Sequence, residues 1–532
     1  MKKLIILWAA VVVVLVGCGE VSETRVKSAY PDDVRMWEKI FSSEVELDAP
    51  VATEPQGVIL PHHLIVAKEL NAVYRELAKF VNPGTIIVMG PNHYEVGEAK
   101  IQTCDNCVFE TTVGEVMLDQ EVVAGLVEGG AMTVNNEAFR QEHAIFTHSA
   151  YIAKYFPEAE VVPIIFDFEM SEEEVFLFTE SLSKYIYEDT FIIGSIDFSH
   201  DIPPEGADFH DHSSLATIAN FDYDNIYDLE IDSHETLYAI MKLMEKDGAM
   251  SVVRHAHTNM ADYYEEHKEI TTSHQFITFS EGETNPVKGV SILTVGNMPD
   301  GNEELGLETS WRWDREYEAE KDLTLAKQLR DIRGKEDRFL VGADFIVFNL
   351  FEEGCGMQEQ NGMKVMMCKY SEDEERFREI LDELEVAADT EELDLMYLLY
   401  DFGSGELTEE RKKDVRSIAK KGIDIFVGRG LEEVIPFETY KGGLLFYSLG
   451  DFMVDNNLVS DLNRESEGVI LGLYVDEENY YVYHFPIEII NGYPKLKDFS
   501  VRPASFLQFT AEADLGRDVQ TDTQKGVLII ER

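Results

Sequence analysis

The chain has 532 residues, 45% of them hydrophobic, enough for two folded cores of ordinary size. Its 102 Asp and Glu outnumber 45 Lys and Arg, giving a formal net charge of −57, which excludes nucleic acid and anionic lipid as partners held by charge. Such a surface is either an adaptation to a salty exterior, where screening removes self-repulsion, or simply a well-solvated one.

At the N-terminus, Lys2 and Lys3 precede an apolar run from Leu4 to Val16, followed by Gly17 and Cys18. Residues 1–18 read as a secretory signal ending in a lipobox, with Cys18 lipidated as the first residue of the mature protein. The run is shorter than the ~20 residues a spanning helix needs, whereas acyl chains on Cys18 hold a protein on a membrane without one. The expected location is extracytoplasmic, lipid-anchored to the cell membrane or the outer membrane. Residues 19–50 are polar and irregular and read as a tether leading into the fold. Beyond Cys18 remain Cys104, Cys107, Cys355 and Cys368, an even number that permits disulfides outside the cytoplasm. Cys104 and Cys107 form a C-x-x-C that admits a tight disulfide, half a zinc site or two free thiols. No second C-x-x-C supplies the other half of a structural zinc site.

Residues 51–285 alternate strand-like and helix-like segments. Strands are predicted over Gly57–Leu60, Thr85–Met89, Val161–Phe166 and Phe191–Ile196, and helices over Leu64–Phe80 and Glu172–Tyr187. This pattern predicts an α/β unit with a mostly parallel sheet covered on both faces, whose ligands sit at the carboxyl ends of the strands. Four motifs place a histidine or carboxylate there: Leu60-Pro61-His62-His63, Gly90-Pro91-Asn92-His93, Arg140-Gln141-Glu142-His143 and Ser195-Ile196-Asp197-Phe198-Ser199-His200. Convergence on one rim would build a metal or acid–base site; the alternative is a coincidence of loop histidines. His210 and His212, in an acidic loop after His200, and His255, His257 and His274 are expected to be solvated or structural. A hydrolase using Ser199 with His200 is disfavoured, since neighbours on a strand end point apart and no G-x-S-x-G elbow occurs.

A second unit is expected over residues 288–506, after Asn285 and Pro286. Strands are predicted at Val290–Val295, Phe345–Leu350 and Gly443–Leu449, with a helix at Asp373–Val386. Residues 507–532 read as a loose tail ending in a short strand, Gly526–Ile530.

At its histidine motifs the first unit resembles the MEMO family, whose bacterial members include the protein B component of the AmmeMemoRadiSam system. The order Pro-His, Gly-Pro-Asn-His, Thr-x-x-Gly-Glu-Val at Thr111–Val116, Glu-His and Asp-Phe-Ser-His carries the resemblance. It implies a three-layer α/β/α fold similar to class III extradiol dioxygenases. It also implies a mononuclear divalent transition metal, iron first and zinc or copper as alternatives. His62 and His93 would be ligands, and His200 a ligand or proton carrier. Asp197 and Glu142 would orient the imidazoles, with His143 beside them among the acid–base candidates. The family's first motif commonly continues Pro-His-Ala-Gly; here His63 follows His62 and is a rival ligand. Animal members add a cysteine ligand near a later helix. This chain has Asp232, an oxygen ligand in its place unless Asp232 and Ser233 merely cap that helix.

The second unit resembles the CapA family, poly-γ-glutamate capsule proteins with a calcineurin-like metallophosphatase fold, most clearly from Gly422 to Phe452. The resemblance implies a second α/β domain without the family's chemistry. The family's Gly-Asp is Gly296-Asn297 here, its Gly-His-His-Pro-His is Gly428-Arg429-Gly430-Leu431-Glu432, and its His-Trp-Gly is Asp401-Phe402-Gly403. A two-metal phosphoesterase needs imidazoles and a bridging carboxylate that are missing. Binding of envelope glycan, peptide or a protein partner, or a structural lid, is the expected residue of function. Two readings of the whole follow: a tethered metal-dependent enzyme of undefined redox or hydrolytic reaction, or a binding lipoprotein in which both domains are inactive scaffolds.

Overall fold

The computed structural model describes residues 24–27, 33–168, 170–294, 346–347, 354–371, 393–403, 405–451, 466–490, 493–511, 519–522 and 526–532. Cys18, Asn297 and the helix expected at Asp373–Val386 lie outside them. Among the described residues no helix is long and apolar enough to cross a membrane.

The first unit is a nine-stranded sheet with helices on both faces. Its strands are β1 (Thr24–Lys27), β2 (Pro55–Leu60), β3 (Thr85–Pro91), β4 (Ile101–Thr103), β5 (Cys107–Thr111), β6 (Gly114–Met117), β7 (Thr133–Val134), β8 (Glu160–Phe166), β9 (Thr190–Ser195), β10 (His200–Ile202), β11 (Ser251–Asn259) and β12 (Thr271–Ser280); β1, β5 and β6 make a small separate sheet. The large sheet runs β10-β12-β2-β9-β3-β8-β4-β7, with β11 beside β12. Its centre, β2-β9-β3-β8, is parallel. The helices are α1 (Val34–Phe41), α2 (Ala67–Leu77), α3 (Gln120–Glu128), α4 (His143–Tyr155), α5 (Glu172–Leu182), α6 (Pro204–Asn220) and α7 (His234–Asp247). Side chains alternate across the central strands. Ile87 and Met89 join one core with residues of α3, α5 and α7, while Ile86 and Val88 join another with α1, α2 and α4. Two-sided burial explains why these strands read as continuous apolar runs.

The fold begins earlier than residue 51. β1 pairs in parallel with β5, and Trp37 and Phe41 of α1 pack their rings on Tyr151. The stretch read as a tether therefore contributes a strand and a helix to the first unit. The helix expected at 64–80 starts with a 3₁₀ turn and ends at Leu77, and the one expected at 172–187 ends at Leu182. The acidic loop expected around His210 and His212 is α6. It is buried against both the large sheet and the second unit, so it lacks the one-sided apolar stripe by which a surface helix is recognised.

The second unit packs a six-stranded sheet against a seven-stranded one, with a core of Val365, Tyr397, Val427 and Phe446 from the first and Leu471, Val482 and Leu528 from the second. Residues 443–446 and 448–449 form two short strands where one was expected. The C-terminal tail is not loose. Residues 502–511 are a helix, and Val527–Glu531 is an inner strand of the seven-stranded sheet, paired on both sides. Cys355 and Cys368 face each other across neighbouring antiparallel strands and form a disulfide, whereas Cys104 and Cys107 are buried free thiols.

Candidate metal centre

Three adjacent parallel strands deliver the first donors. β2 ends at Leu60 and leads to His62; β9 ends at Ser195 and leads to Asp197; β3 ends at Pro91 and leads to His93. β3 lies close under α4 because position 90 is glycine: a Cβ there would sit 2.9 Å from the Ala144 Cβ. That approach brings the N-cap of α4, Glu142, and its first residue, His143, over the strand ends. Asp232 arrives from the segment before α7. Ser233 caps that helix, its Oγ accepting from Thr236 N, so the capping role does not fall to Asp232. Instead Asp232 and Asp197 lock together: Asp197 N donates to Asp232 Oδ1 (3.2 Å) and Asp232 N to the Asp197 carbonyl (3.1 Å).

The donor atoms converge. His62 Nε2 is 3.2 Å from Asp197 Oδ2 and 3.1 Å from Asp232 Oδ2, and His93 Nε2 is 3.6 Å from Asp232 Oδ2. Ligands bound at ~2.1 Å to a common ion stand about 3.0–3.4 Å apart in octahedral or tetrahedral geometry, which matches this spacing. His62 with Asp197 and Asp232, and His62 with His93 and His143, are each sets whose donor atoms lie within 4.8 Å of one another.

Hydrogen bonds behind the rings fix which nitrogens face inward. Ser195 Oγ donates to the Ala144 carbonyl (2.6 Å), so it must accept from the other two atoms that touch it, His62 Nδ1 (3.1 Å) and His148 Nε2 (3.0 Å). The Tyr74 hydroxyl, 3.0 Å from His148 Nδ1, donates to it and completes the chain. His62 thus donates from Nδ1 and turns Nε2 toward two carboxylates. On His93, Nδ1 donates to Glu142 Oε1 (2.8 Å), leaving Nε2 toward Asp232. A carboxylate behind an imidazole that faces a metal is the usual supporting arrangement. Asp197 Oδ2 and Asp232 Oδ2 are both buried and make no hydrogen bond. His62 Nε2 and two buried carboxylate oxygens need positive charge among them, carried by the ring itself or by a bound cation.

The titration behaviour agrees. Burial opposes charge on His62, but Asp197 and Asp232 outweigh it and hold its pKa above the ordinary value. Burial is likewise overcome on His93, where the facing carboxylates of Asp232 and Glu142 raise the pKa to about 10. Burial would raise Asp197, Asp232 and Glu142, yet the facing imidazoles leave all three below the usual carboxylate range. His143, stacked on His93 with ring centroids 4.2 Å apart, is pushed down to about 4 by burial and then by its cationic neighbours. The pocket gathers positive charge, and the described residues place no Lys or Arg in an ion pair with these three carboxylates.

His62, His93, Glu142, His143, Asp197 and Asp232 are brought together. His200 lies outside all three donor sets, in β10 opposite Thr272. Asp197 Oδ2 faces His62 Nε2 from the same side as Asp232, and the groups behind the rings are Glu142 at His93 Nδ1 and Ser195 at His62 Nδ1. His148 and Ser195 were not singled out from the sequence, because their signal is the contact between α4 and β9. His210 and His212 are in α6: His210 is fully buried, and His212 stacks on Tyr474 of the second unit and bonds Tyr483. His255 is structural, held by the Ala49 carbonyl and Thr278. His274 is buried beside His63.

Comparison with known proteins defines the class. The family model described as Memo-like protein matches residues 25–273, so the first unit is a Memo-like domain. Curated relatives include a MEMO1 family protein of Caldivirga maquilingensis, 25% identical over 39% of this chain and 77% of its own length. Another, from Desulfurococcus amylolyticus, is 26% identical over 36% of this chain and 71% of its own. The match to one from Pyrobaculum aerophilum, 25% identical, spans 33% of this chain and 64% of that relative. A solved structure of a hypothetical protein from Thermus thermophilus aligns with 37% of this chain and 99% of its own at 12% identity, with a TM-score of 0.21, too low to bear on the fold.

Proposed function

We propose that the Memo-like domain is a metal-dependent catalytic or sensing centre, holding a divalent transition ion through His62, His93, Asp197 and Asp232. The observation that carries this reading is the convergence of His62 Nε2 and His93 Nε2 on two buried carboxylate oxygens, Asp197 Oδ2 and Asp232 Oδ2, at ligand-to-ligand spacing. Two imidazoles and two carboxylates, without thiolate, suit Fe(II), Mn(II) or Zn(II) better than Cu(I). The bound ion would supply Lewis acidity or, as iron, redox capacity. Around it, His143 offers an imidazole held neutral near the rim, and His200, half-buried in β10, is the candidate proton carrier. Elemental analysis of purified protein tests the reading: metal bound in wild type and lost in His93→Ala supports it, and wild type without affinity for any divalent transition ion favours the scaffold alternative.

Our reading of the whole chain is a lipoprotein fixed through Cys18 outside the cytoplasm, with a degenerate CapA-like unit that binds envelope glycan, peptide or a partner. The motif at residues 2–18 supports the first part, and a two-sheet unit with one histidine, His484, supports the second. Cys18→Ser should leave the precursor unprocessed or free of membrane; unchanged detergent partitioning and processing would refute lipidation.

A further inference from the structure

A second set of donors lies on the far side of Asp197. His62 and His63 follow one another on extended backbone, with His63 at φ −88° and ψ 129°, so their side chains leave in opposite directions. Their ring centroids are 6.3 Å apart. Both nevertheless reach one atom, Asp197 Oδ2: His62 Nε2 at 3.2 Å and His63 Nδ1 at 3.6 Å. Strand β12, which pairs with β2, brings His274 to the same side, its Nε2 3.5 Å from His63 Nδ1. That separation is beyond the usual N–H···N hydrogen bond and close to the spacing of two ligands on one ion. His63, Asp197 and His274 form a set with donor atoms within 4.8 Å of one another. His274 is fully buried, with Nε2 as the ring nitrogen turned toward His63.

We propose that the centre binds two divalent cations, the first on His62, His93 and Asp232 and the second on His63 and His274, with Asp197 bridging them. This rests on the single-ion reading above and goes beyond it, since a mononuclear centre needs neither His63 nor His274. A carboxylate bridge fits ions about 3.5–4 Å apart, the spacing of two-metal hydrolytic sites, where a shared water becomes the nucleophile. His63 stands where the family motif commonly has alanine, so the second position would be a property of this chain. His200 pairs with Thr272, two residues from His274 along the same face of β12, within the diagonal reach of an imidazole.

Metal-free full-length protein titrated with Mn²⁺, read by equilibrium dialysis and electron paramagnetic resonance, separates the possibilities. Two equivalents with an exchange-coupled spectrum are expected. His63→Ala, a substitution at a side chain about one-third exposed (34%) and therefore tolerated by the fold, should bind one equivalent with the uncoupled six-line signal. His274→Ala should do the same, and His63→Ala decides the matter if the buried variant does not fold. One uncoupled equivalent in wild type, unchanged in His63→Ala, overturns the second site and keeps the first. No Mn²⁺ bound by wild type overturns both.

Discussion

The two units carry comparable strand ends and treat them in opposite ways. At the rim of the first, three neighbouring parallel strands end in His62, Asp197 and His93, and two buried carboxylate oxygens are left without hydrogen bonds. In the second, the parallel strands 395–401 and 425–429 end in Asp401 and Arg429, and the rim is closed by the chain itself. Asp401 Oδ1 accepts from Gly403 N (2.7 Å), Phe402 N donates to the Arg429 carbonyl (2.9 Å), and Arg411 donates to the Phe402 carbonyl (3.0 Å). Gly430, at φ +89°, packs so tightly that a Cβ would lie 2.3 Å from the Gly403 carbonyl oxygen, which leaves no room for an imidazole there. Buried carboxylate oxygens without hydrogen bonds are expensive unless a ligand completes them, which marks the first rim as the candidate site.

Substituting the first rim should give the largest effect. Asp232→Ala or His93→Ala removes an inner donor and should take metal from stoichiometric to near none by elemental analysis. Asp401→Ala and Glu432→Ala in the second unit should leave metal content unchanged, and a parallel loss there would erase the contrast. A smaller effect is expected behind the ligands: Glu142→Gln should weaken metal binding by about 10–100-fold in a competition titration, because it loosens His93 without removing it.

Acidity sharpens the comparison further. His93, raised to about 10, competes for its proton with any ion, so binding should release protons and weaken steadily as pH falls through the neutral range, measurable by calorimetry in buffers of different ionisation enthalpy. Stability has a separate acid limb. Burial holds His148, His212 and His484 near 3, below their ordinary 6.5. Between these values the unfolded chain binds protons the folded one refuses, so stability is present above about pH 6.5 and is lost toward pH 3. Urea midpoints followed from pH 7 to 4 should fall; a flat profile would contradict neutral burial of these rings. The smallest effect belongs to Tyr74→Phe, which deletes the outermost hydrogen bond of the Tyr74–His148–Ser195 chain and should cost about 0.5–1.5 kcal/mol in chemical denaturation.

Much of this was legible locally. Apolar runs ending in Pro-His, Asn-His and Asp-Phe-Ser-His announced parallel strands with donors at their ends, and Glu142-His143 stood out as a further donor pair. What stayed hidden depends on contacts distant in sequence. Asp197 and His200 sit on one motif, but β10 turns away to pair with β12, which takes His200 out of the donor sets that Asp197 joins. His274 shows no signal of its own, because only the pairing of β12 with β2 sets it beside His63. α6 escaped notice because the second unit covers its polar face: His212 stacks on Tyr474, Tyr483 donates to Asp208, and Arg502 pairs with Glu205. The final strand was legible as a strand, but its inner place in the sheet was not, since its partners are residues 479–483 and 519–522.

The proposed cation sits among His62 Nε2, His93 Nε2, Asp197 Oδ2 and Asp232 Oδ2. Crystals grown with Mn²⁺ and measured for anomalous scattering would test it most directly. A peak within bonding distance of His62 Nε2 and Asp232 Oδ2 is the expected result. Stoichiometric Mn²⁺ in the protein with no peak at those atoms would rule out a cation there.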